Sequence, residues 1–289
     1  MPTGSQSCRS PAALLRDAWA QWLRPAVAIR RARYEDLRAA RRAAAPKALA
    51  GYGYRIFSQS DEDGIIAEIF RRIGVTNRIF VEFGAGSGLE NNTAALLYAG
   101  WRGLWIEGSA RACRTIRRCY GKAIETGQLA LVAQRATPAN IDGLIRSAVA
   151  ERAPDLLSVD IDGNDAHVLS AIACIQPRVI VVEYNAKFGP SLRYCMAYDA
   201  AHAWDGTDRF GASLKYWEEL LRARGYGCVG CNLAGTNAFF VRAELLGECF
   251  LAPYTAETHY EPARYEFLCL PSGHPCSPDT FGTRVRDEA

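Results

Sequence analysis

At 289 residues, 49% hydrophobic and 22% charged, the chain has the make-up of an ordinary globular protein, with one main domain plus an extension as the expectation. No apolar run reaches the roughly 18 to 20 residues of a membrane-spanning helix, and the N-terminus lacks the continuous apolar segment of a secretory signal, so a soluble, cytoplasmic protein is expected. Residues 1–50 carry ten Lys or Arg against three Asp or Glu, which leaves the remainder at −4 and argues against nucleic acid as a substrate or partner.

Residues 11–46 read as helical, with Leu15, Trp19, Trp22 and Leu23 on one face, arginines along the rest, and a break or kink expected at Pro25. This defines a basic helical extension over 1–50. It suits contact with the domain or a partner subunit, or a membrane-peripheral position on anionic lipid. An α/β domain is predicted over 51–265 and a C-terminal tail over 266–289.

Asp63 to Ile73 has the spacing of an amphipathic helix and leads into a short apolar run, Arg78 to Phe83, that ends in glycines. Further strands are predicted at Gly103 to Glu107, Leu129 to Gln134, Leu156 to Asp160 and Val179 to Tyr184. Helical spacing fills 92–99, 111–124, 138–151 and 166–174, and this alternation implies a parallel sheet covered on both faces. After a helix at Ser213 to Arg224, the runs Tyr226 to Cys231 and Asn237 to Arg242 flank a Gly-containing link and read as a hairpin. A mostly parallel, seven-stranded, Rossmann-like sheet that ends in an antiparallel hairpin resembles the class I methyltransferase fold.

Gly84, Gly86 and Gly88 follow the first strand directly, so the backbone can turn sharply and approach a ligand. Their GxGxG spacing differs from the dinucleotide fingerprint GxGxxG, which disfavours an NAD-dependent oxidoreductase. Glu82 is placed to organise this loop and to face the cationic aminoacyl end of S-adenosylmethionine. Glu107, 23 residues past Gly84, ends the second strand, where an acid can accept the ribose hydroxyls of an adenosine. Asn91 and Asn92 follow the loop, to cap the next helix or touch the cofactor.

The stretches SQSDEDGI, NRIFVEFGAGSGLENNT, GWRGLWIEG, LLSVDIDGND, VVEYNAKFGP, WDGTDRFGASL and GTNAFFVR, spread from Tyr54 to about Tyr265, resemble the FkbM-like methyltransferases. The resemblance implies S-adenosylmethionine held by Glu82, Gly84, Gly86, Gly88 and Glu107, and methylation of oxygen on sugars, glycans or natural products. It does not extend to residues 1–50.

Asp160, Asp162 and Asp165 fall at the end of the fourth strand, and Glu183 and Asn185 at the end of the fifth. Open α/β sheets bind ligands outside the carboxyl ends of their strands. Asp160, Asp162, Glu183 and Asn185 therefore form a candidate Mg²⁺ set, with Asp160 alternatively a cofactor contact. Asp162, Asp165 and His167 are the candidate general bases. The long connection from Asn185 to Ser213 carries Lys187, Phe188, Arg193, Tyr198, Asp199, His202, Trp204, Asp205, Asp208 and Arg209, a mixture suited to a lid or to a small-molecule or glycan substrate. The ten cysteines are scattered, with only Cys228 and Cys231 in CxxC spacing, so free thiols are expected. Against the methyltransferase reading stands a non-catalytic S-adenosylmethionine-binding or nucleotide-binding module that acts through its basic helices.

Overall fold

The computed structural model describes residues 11–203 and 207–265, with the backbone alone over 11–27. Seven strands form one sheet: β1 (Ile79–Phe83), β2 (Arg102–Ile106), β3 (Leu129–Val132), β4 (Leu156–Val159), β5 (Val179–Glu183), β6 (Tyr226–Cys231) and β7 (Asn237–Arg242). Their order is β3-β2-β1-β4-β5-β7-β6, and β7 alone runs against its neighbours. This is the Rossmann-like, mostly parallel sheet with a C-terminal hairpin that the sequence predicts.

The strands read as continuous apolar runs because helices cover both faces of the sheet. Alternation sends Phe80, Trp105, Leu156 and Val181 to one face, against α2 (Glu62–Ile73), α3 (Ala94–Tyr98) and α4 (Ala110–Glu125). Val81, Leu104, Leu157 and Val182 take the other face, against α5 (Ile141–Arg146), α6 (Asp165–Ser170) and α7 (Leu214–Arg222). A last short helix, α8 (Ala256–His259), joins that second layer. The chain winds outward from β1 to β3 and then returns to β4 on the other side of β1. That reversal opens a crevice at the carboxyl ends of β1 and β4.

At the opposite edge, a buried ion pair sets where β1 and β5 begin. Asp155, 0% exposed, accepts from the Arg178 guanidinium at 2.7 Å, from the Thr76 hydroxyl at 2.7 Å, and from the backbone N–H groups of Asn77 and Arg78 at 2.9 and 2.8 Å. Burial alone would raise the Asp155 carboxyl; Arg178, Thr76 and the two backbone donors outweigh it and hold the group below the usual carboxylate range.

The extension, α1 (Pro11–Ala44), runs unbroken through Pro25, where a break or kink was expected. A proline removes one i→i−4 bond, and the helical turns on either side keep theirs. On the body α1 is held by Arg38 donating to the Gly53 carbonyl at 2.9 Å, by Arg41 paired with Glu261 at 3.0 Å, and by Arg42 stacked over Tyr52. The face carrying Leu15, Trp19, Trp22 and Leu23, and the 266–289 tail, lie outside the described side chains and residues. No helix among the described residues is long and apolar enough to cross a membrane. The cysteines described, Cys228 and Cys231 included, are free thiols.

Candidate active site

The sheet register explains how the glycine loop is held. Glu82 sits between Trp105 on β2 and Ser158 on β4, so the three side chains share one face. All three reach the segment after the loop. Glu82, 1% exposed, accepts from the Asn91 carboxamide at 2.6 Å, from the Asn92 N–H at 2.9 Å and from the Thr93 hydroxyl. The Trp105 indole donates to Thr93 at 2.7 Å, and the Asn92 carboxamide donates to Ser158 at 3.1 Å. Burial pushes the Glu82 carboxyl up, against the pull of Thr93, Asn92 and Asn91. Glu82 thus fixes residues 91–93, the segment that follows the glycine loop, and Asn92 serves that network.

Each glycine answers to a different neighbour. All three have positive φ, at 80°, 55° and 75° for Gly84, Gly86 and Gly88. A Cβ on Gly84 would meet the Asp160 carbonyl oxygen at 1.4 Å, and one on Gly88 would meet Trp105 at 2.9 Å, but one on Gly86 would meet nothing within 4 Å. Only Gly86 therefore faces open space. Its N–H donates to Glu107 at 2.7 Å, and the other Glu107 oxygen accepts from the Ser109 N–H at 2.6 Å. Each carboxylate oxygen keeps a second lone pair, so Glu107 ties the loop down with acceptor capacity left over.

Asp160, Asp162 and Glu183 come together at the ends of β4 and β5, each offering an oxygen within 4.8 Å of the others. Burial, then the negative charges of Asp162, Asp165, Glu82 and Glu62, push Asp160 well above the usual carboxylate range. Glu183 is pushed the same way by burial and then by Asp160, Asp162 and Asp165. Among the described residues no Lys or Arg forms an ion pair with Glu62, Glu82, Asp160, Asp162 or Glu183. The crevice gathers carboxyl groups with no cation paired to them among the described residues, and burial with mutual repulsion favours protons on Asp160 and Glu183.

The other predicted residues shape this centre. Asp165, 1% exposed, accepts from the Ile161 N–H at 2.7 Å and the Gly163 N–H at 2.8 Å, so both its oxygens serve the β4–α6 loop. That loop presents Asp162, exposed and at φ 58°, a backbone conformation that non-glycine residues hold only where the surroundings impose it. Asn185, fully buried, donates to the Asp208 carbonyl at 2.8 Å and accepts from the Lys187 N–H at 3.2 Å, which commits its carboxamide to the 185–213 connection. His167 donates from Nε2 to the Met196 carbonyl at 2.8 Å and anchors the same connection.

That connection is ordered over the described part. Lys187 pairs with Asp208, Phe188 stacks on Tyr194, and Cys195 bridges to Ala212. His202 bonds the Asp162 carbonyl oxygen at 2.9 Å and lies where a Gly163 Cβ would be, 2.4 Å from its ring. Trp204 and Asp205 lie outside the described residues. Sequence reasoning missed two contributors. Glu62 at the start of α2 accepts from Asn232 at 2.7 Å and Asn237 at 3.0 Å, and Asn237 stands directly across from Glu183. The acidic run in SQSDEDGI and the Asn in GTNAFF were its visible signals.

No protein-family model matches the chain, and no curated protein matches it. Among solved structures it is similar to a protein from Staphylococcus aureus described as a caffeoyl-CoA O-methyltransferase, at 12% identity over 62% of this chain and 81% of that one, with a TM-score of 0.43. It is also similar to the CcbJ methyltransferase from Streptomyces caelestis, at 12% identity over 68% of this chain and 97% of that one, with a TM-score of 0.41. The glycopeptide N-methyltransferase MtfA matches at 17% identity over 64% of this chain and 96% of that one, with a TM-score of 0.39. The fold assignment rests on the strand order of this chain itself.

Proposed function

We propose that the chain is an S-adenosylmethionine-dependent O-methyltransferase, of the FkbM-like kind that its motifs resemble, acting on a hydroxyl of a sugar, glycan or natural product. The observation that carries the reading is the carboxyl cluster of the crevice: the oxygens of Asp160, Asp162 and Glu183 lie within 4.8 Å of one another with no cation paired to them among the described residues, so an arriving cationic ligand supplies the missing charge partner. Such a centre repels the pyrophosphate of a dinucleotide and attracts a ligand with sulfonium and ammonium charges. The open space over Gly86 and the remaining lone pairs of Glu107 fit the adenosine half of that ligand.

The residues divide the work. Glu82 fixes the loop through residues 91–93, and Glu107 fixes Gly86 and accepts ribose hydroxyls. S-adenosylmethionine supplies the methyl group, its carbon–sulfur bond breaking as the new carbon–oxygen bond forms and the sulfonium charge disappears. Asp162 takes the proton of the acceptor hydroxyl, since it alone of the candidate bases is exposed and leaves both Asp165 and His167 to their structural bonds. Alignment of oxygen, carbon and sulfur supplies most of the acceleration.

The oxygens of Asp160, Asp162 and Glu183 also fit a divalent cation such as Mg²⁺, which would lower the pKa of the acceptor hydroxyl. Asn185 joins that set only by giving up its bonds to Lys187 and Asp208.

Calorimetry of the full chain against S-adenosylhomocysteine and NAD tests the donor: binding of the first and silence toward the second is expected, and the reverse overturns the reading. Incubation with labelled S-adenosylmethionine and a glycan panel, with and without EDTA, tests the chemistry. Full activity in chelator removes the metal, and cofactor binding without transfer to any hydroxyl favours the non-catalytic module.

A further inference from the structure

The parallel strands bring their carboxyl ends to the crevice, and β7 is the exception. It runs antiparallel to β5, so its first residue, Asn237, stands directly across from Glu183, the last residue of β5. Residues paired in this way share one face of the sheet, with Cβ atoms about 4.5 to 5.5 Å apart. The β4–β5 register, carried one step past Val159 and Val182, sets Asp160 on the other side of Glu183. Asp160, Glu183 and Asn237 therefore form a row across three neighbouring strands.

The Asn237 carboxamide is held by its nitrogen. Nδ2 donates to Glu62 at 3.0 Å, to the same oxygen that takes Asn232 at 2.7 Å, while the other Glu62 oxygen accepts from the Ser60 N–H at 2.8 Å. Asn232 accepts from the N–H groups of Thr236 and Asn237, both at 2.9 Å, and its own N–H bonds the Asn237 carbonyl at 3.0 Å. Glu62 thus meets Asn237 on the flank where Asn232 follows β6, and a carboxylate admits only a donor there. Oδ1 is the atom turned away from Glu62, on the flank of Glu183. That oxygen is buried without a hydrogen-bond partner among the described residues, in a residue only 3% exposed. A buried acceptor left in this way costs free energy unless a ligand completes it.

We propose that Asn237 supplies, through Oδ1, the fourth oxygen of a divalent-cation site whose other ligands are Asp160, Asp162 and Glu183. The three carboxyl groups each offer an oxygen within 4.8 Å of the others. That is about the span across one coordination sphere, twice a metal–oxygen distance of roughly 2.1 to 2.5 Å. A carboxamide suits the fourth place, because three carboxylates already exceed the charge of the ion and a neutral oxygen adds a ligand without adding repulsion. Asn185 has both ends of its carboxamide engaged by the 185–213 connection, whereas Asn237 has its oxygen to give. The inference rests on the cation of the proposed function and not on the methyl donor.

Titration of the full chain with Mn²⁺, the free ion followed by electron paramagnetic resonance and Mg²⁺ added as competitor, tests the site. Wild type is expected to take up a single Mn²⁺ that Mg²⁺ displaces. Asn237→Ala should weaken Mn²⁺ by about tenfold or more, and Asn237→Asp should restore it. Both variants lose the donor to Glu62, so the pair separates a ligand from a structural contact. Thermal midpoints without metal verify the fold, and Asn237→Ser, whose hydroxyl is too short to reach the ion, replaces Asn237→Ala if that variant does not fold. Wild-type affinity in Asn237→Ala beside a loss in Asp160→Asn keeps the cation and overturns Asn237 as its ligand. Equal weakening in Asn237→Asp and Asn237→Ala overturns it too, leaving Asn237 a structural residue. No uptake of Mn²⁺ by wild type overturns this site together with the cation of the proposed function, while transfer from labelled S-adenosylmethionine judges the methyltransferase reading separately.

Discussion

A methyl group added at Gly84 would lie 1.4 Å from the Asp160 carbonyl oxygen, whereas one added at Gly86 would meet nothing within 4 Å. The two glycines share a left-handed backbone, so alanine strains either by about 1 to 2 kcal/mol. Gly84→Ala adds a collision between two backbone segments that no rotamer relieves, and it is expected to destabilise by more than about 4 kcal/mol or to prevent folding. Gly86→Ala should fold and lose S-adenosylhomocysteine affinity, because its new methyl occupies the space left for the ligand. Thermal unfolding and calorimetry on the two variants check this; wild-type affinity in Gly86→Ala would remove the ligand from that space. The glycines were legible in the sequence because a sharp turn needs them whatever surrounds it. The tasks of Asp165 and Asn185 were not, since only the returning N–H groups of Ile161 and Gly163, and the carbonyl of Asp208, decide them.

At the scale of elements, the hairpin boundaries Tyr226–Cys231 and Asn237–Arg242 coincide with the two apolar runs, because glycine-containing links stop strands sharply. The predicted helix over 138–151 shrinks to Ile141–Arg146: its apolar spacing runs on to Val149, which packs in the core from the turn that follows. Apolar periodicity reports burial, which a turn also satisfies. The start of β1 depends on a pair that periodicity cannot show, Asp155 with Arg178. Removing the carboxylate in Asp155→Ala leaves Arg178 buried without its charge partner, and a loss of about 3 to 5 kcal/mol is expected in urea unfolding. The Asp155 carboxyl is held low in the folded state, so its contribution is present above the ordinary carboxylate range and is lost as pH falls through the lowered value. The gap between wild type and variant should accordingly narrow in acid; a gap that does not change with pH would separate Asp155 from the acid sensitivity of the fold.

At the scale of the molecule, the basic extension and the domain meet at the acidic run that the sequence marked only by resemblance. Asp63 accepts from the N–H groups of Ile56, Phe57 and Ser58 at 2.6 to 2.9 Å, Glu62 reaches Asn232 and Asn237, and Asp61 faces Tyr34 of α1. Burial, then the charge of Glu62, pushes Asp61 up to about 7, against the pull of the Leu233 N–H and the hydroxyls of Ser60 and Tyr34. Arg38 on α1 is engaged with Glu35 and the Gly53 carbonyl. The folded chain therefore keeps a proton that the unfolded chain releases above its ordinary carboxylate pKa, and stability falls as pH rises from about 4 to about 7. Asp61→Asn holds this position neutral at every pH. It is expected to raise stability by a few kcal/mol, about 2 to 4, in mildly alkaline buffer, which lifts the thermal midpoint by several degrees. The gain should shrink on acidification and vanish near the unfolded pKa, where wild-type Asp61 is itself protonated. Equal midpoints for the two proteins in alkaline buffer would show that Asp61 is ionised at no cost where α1 meets the domain.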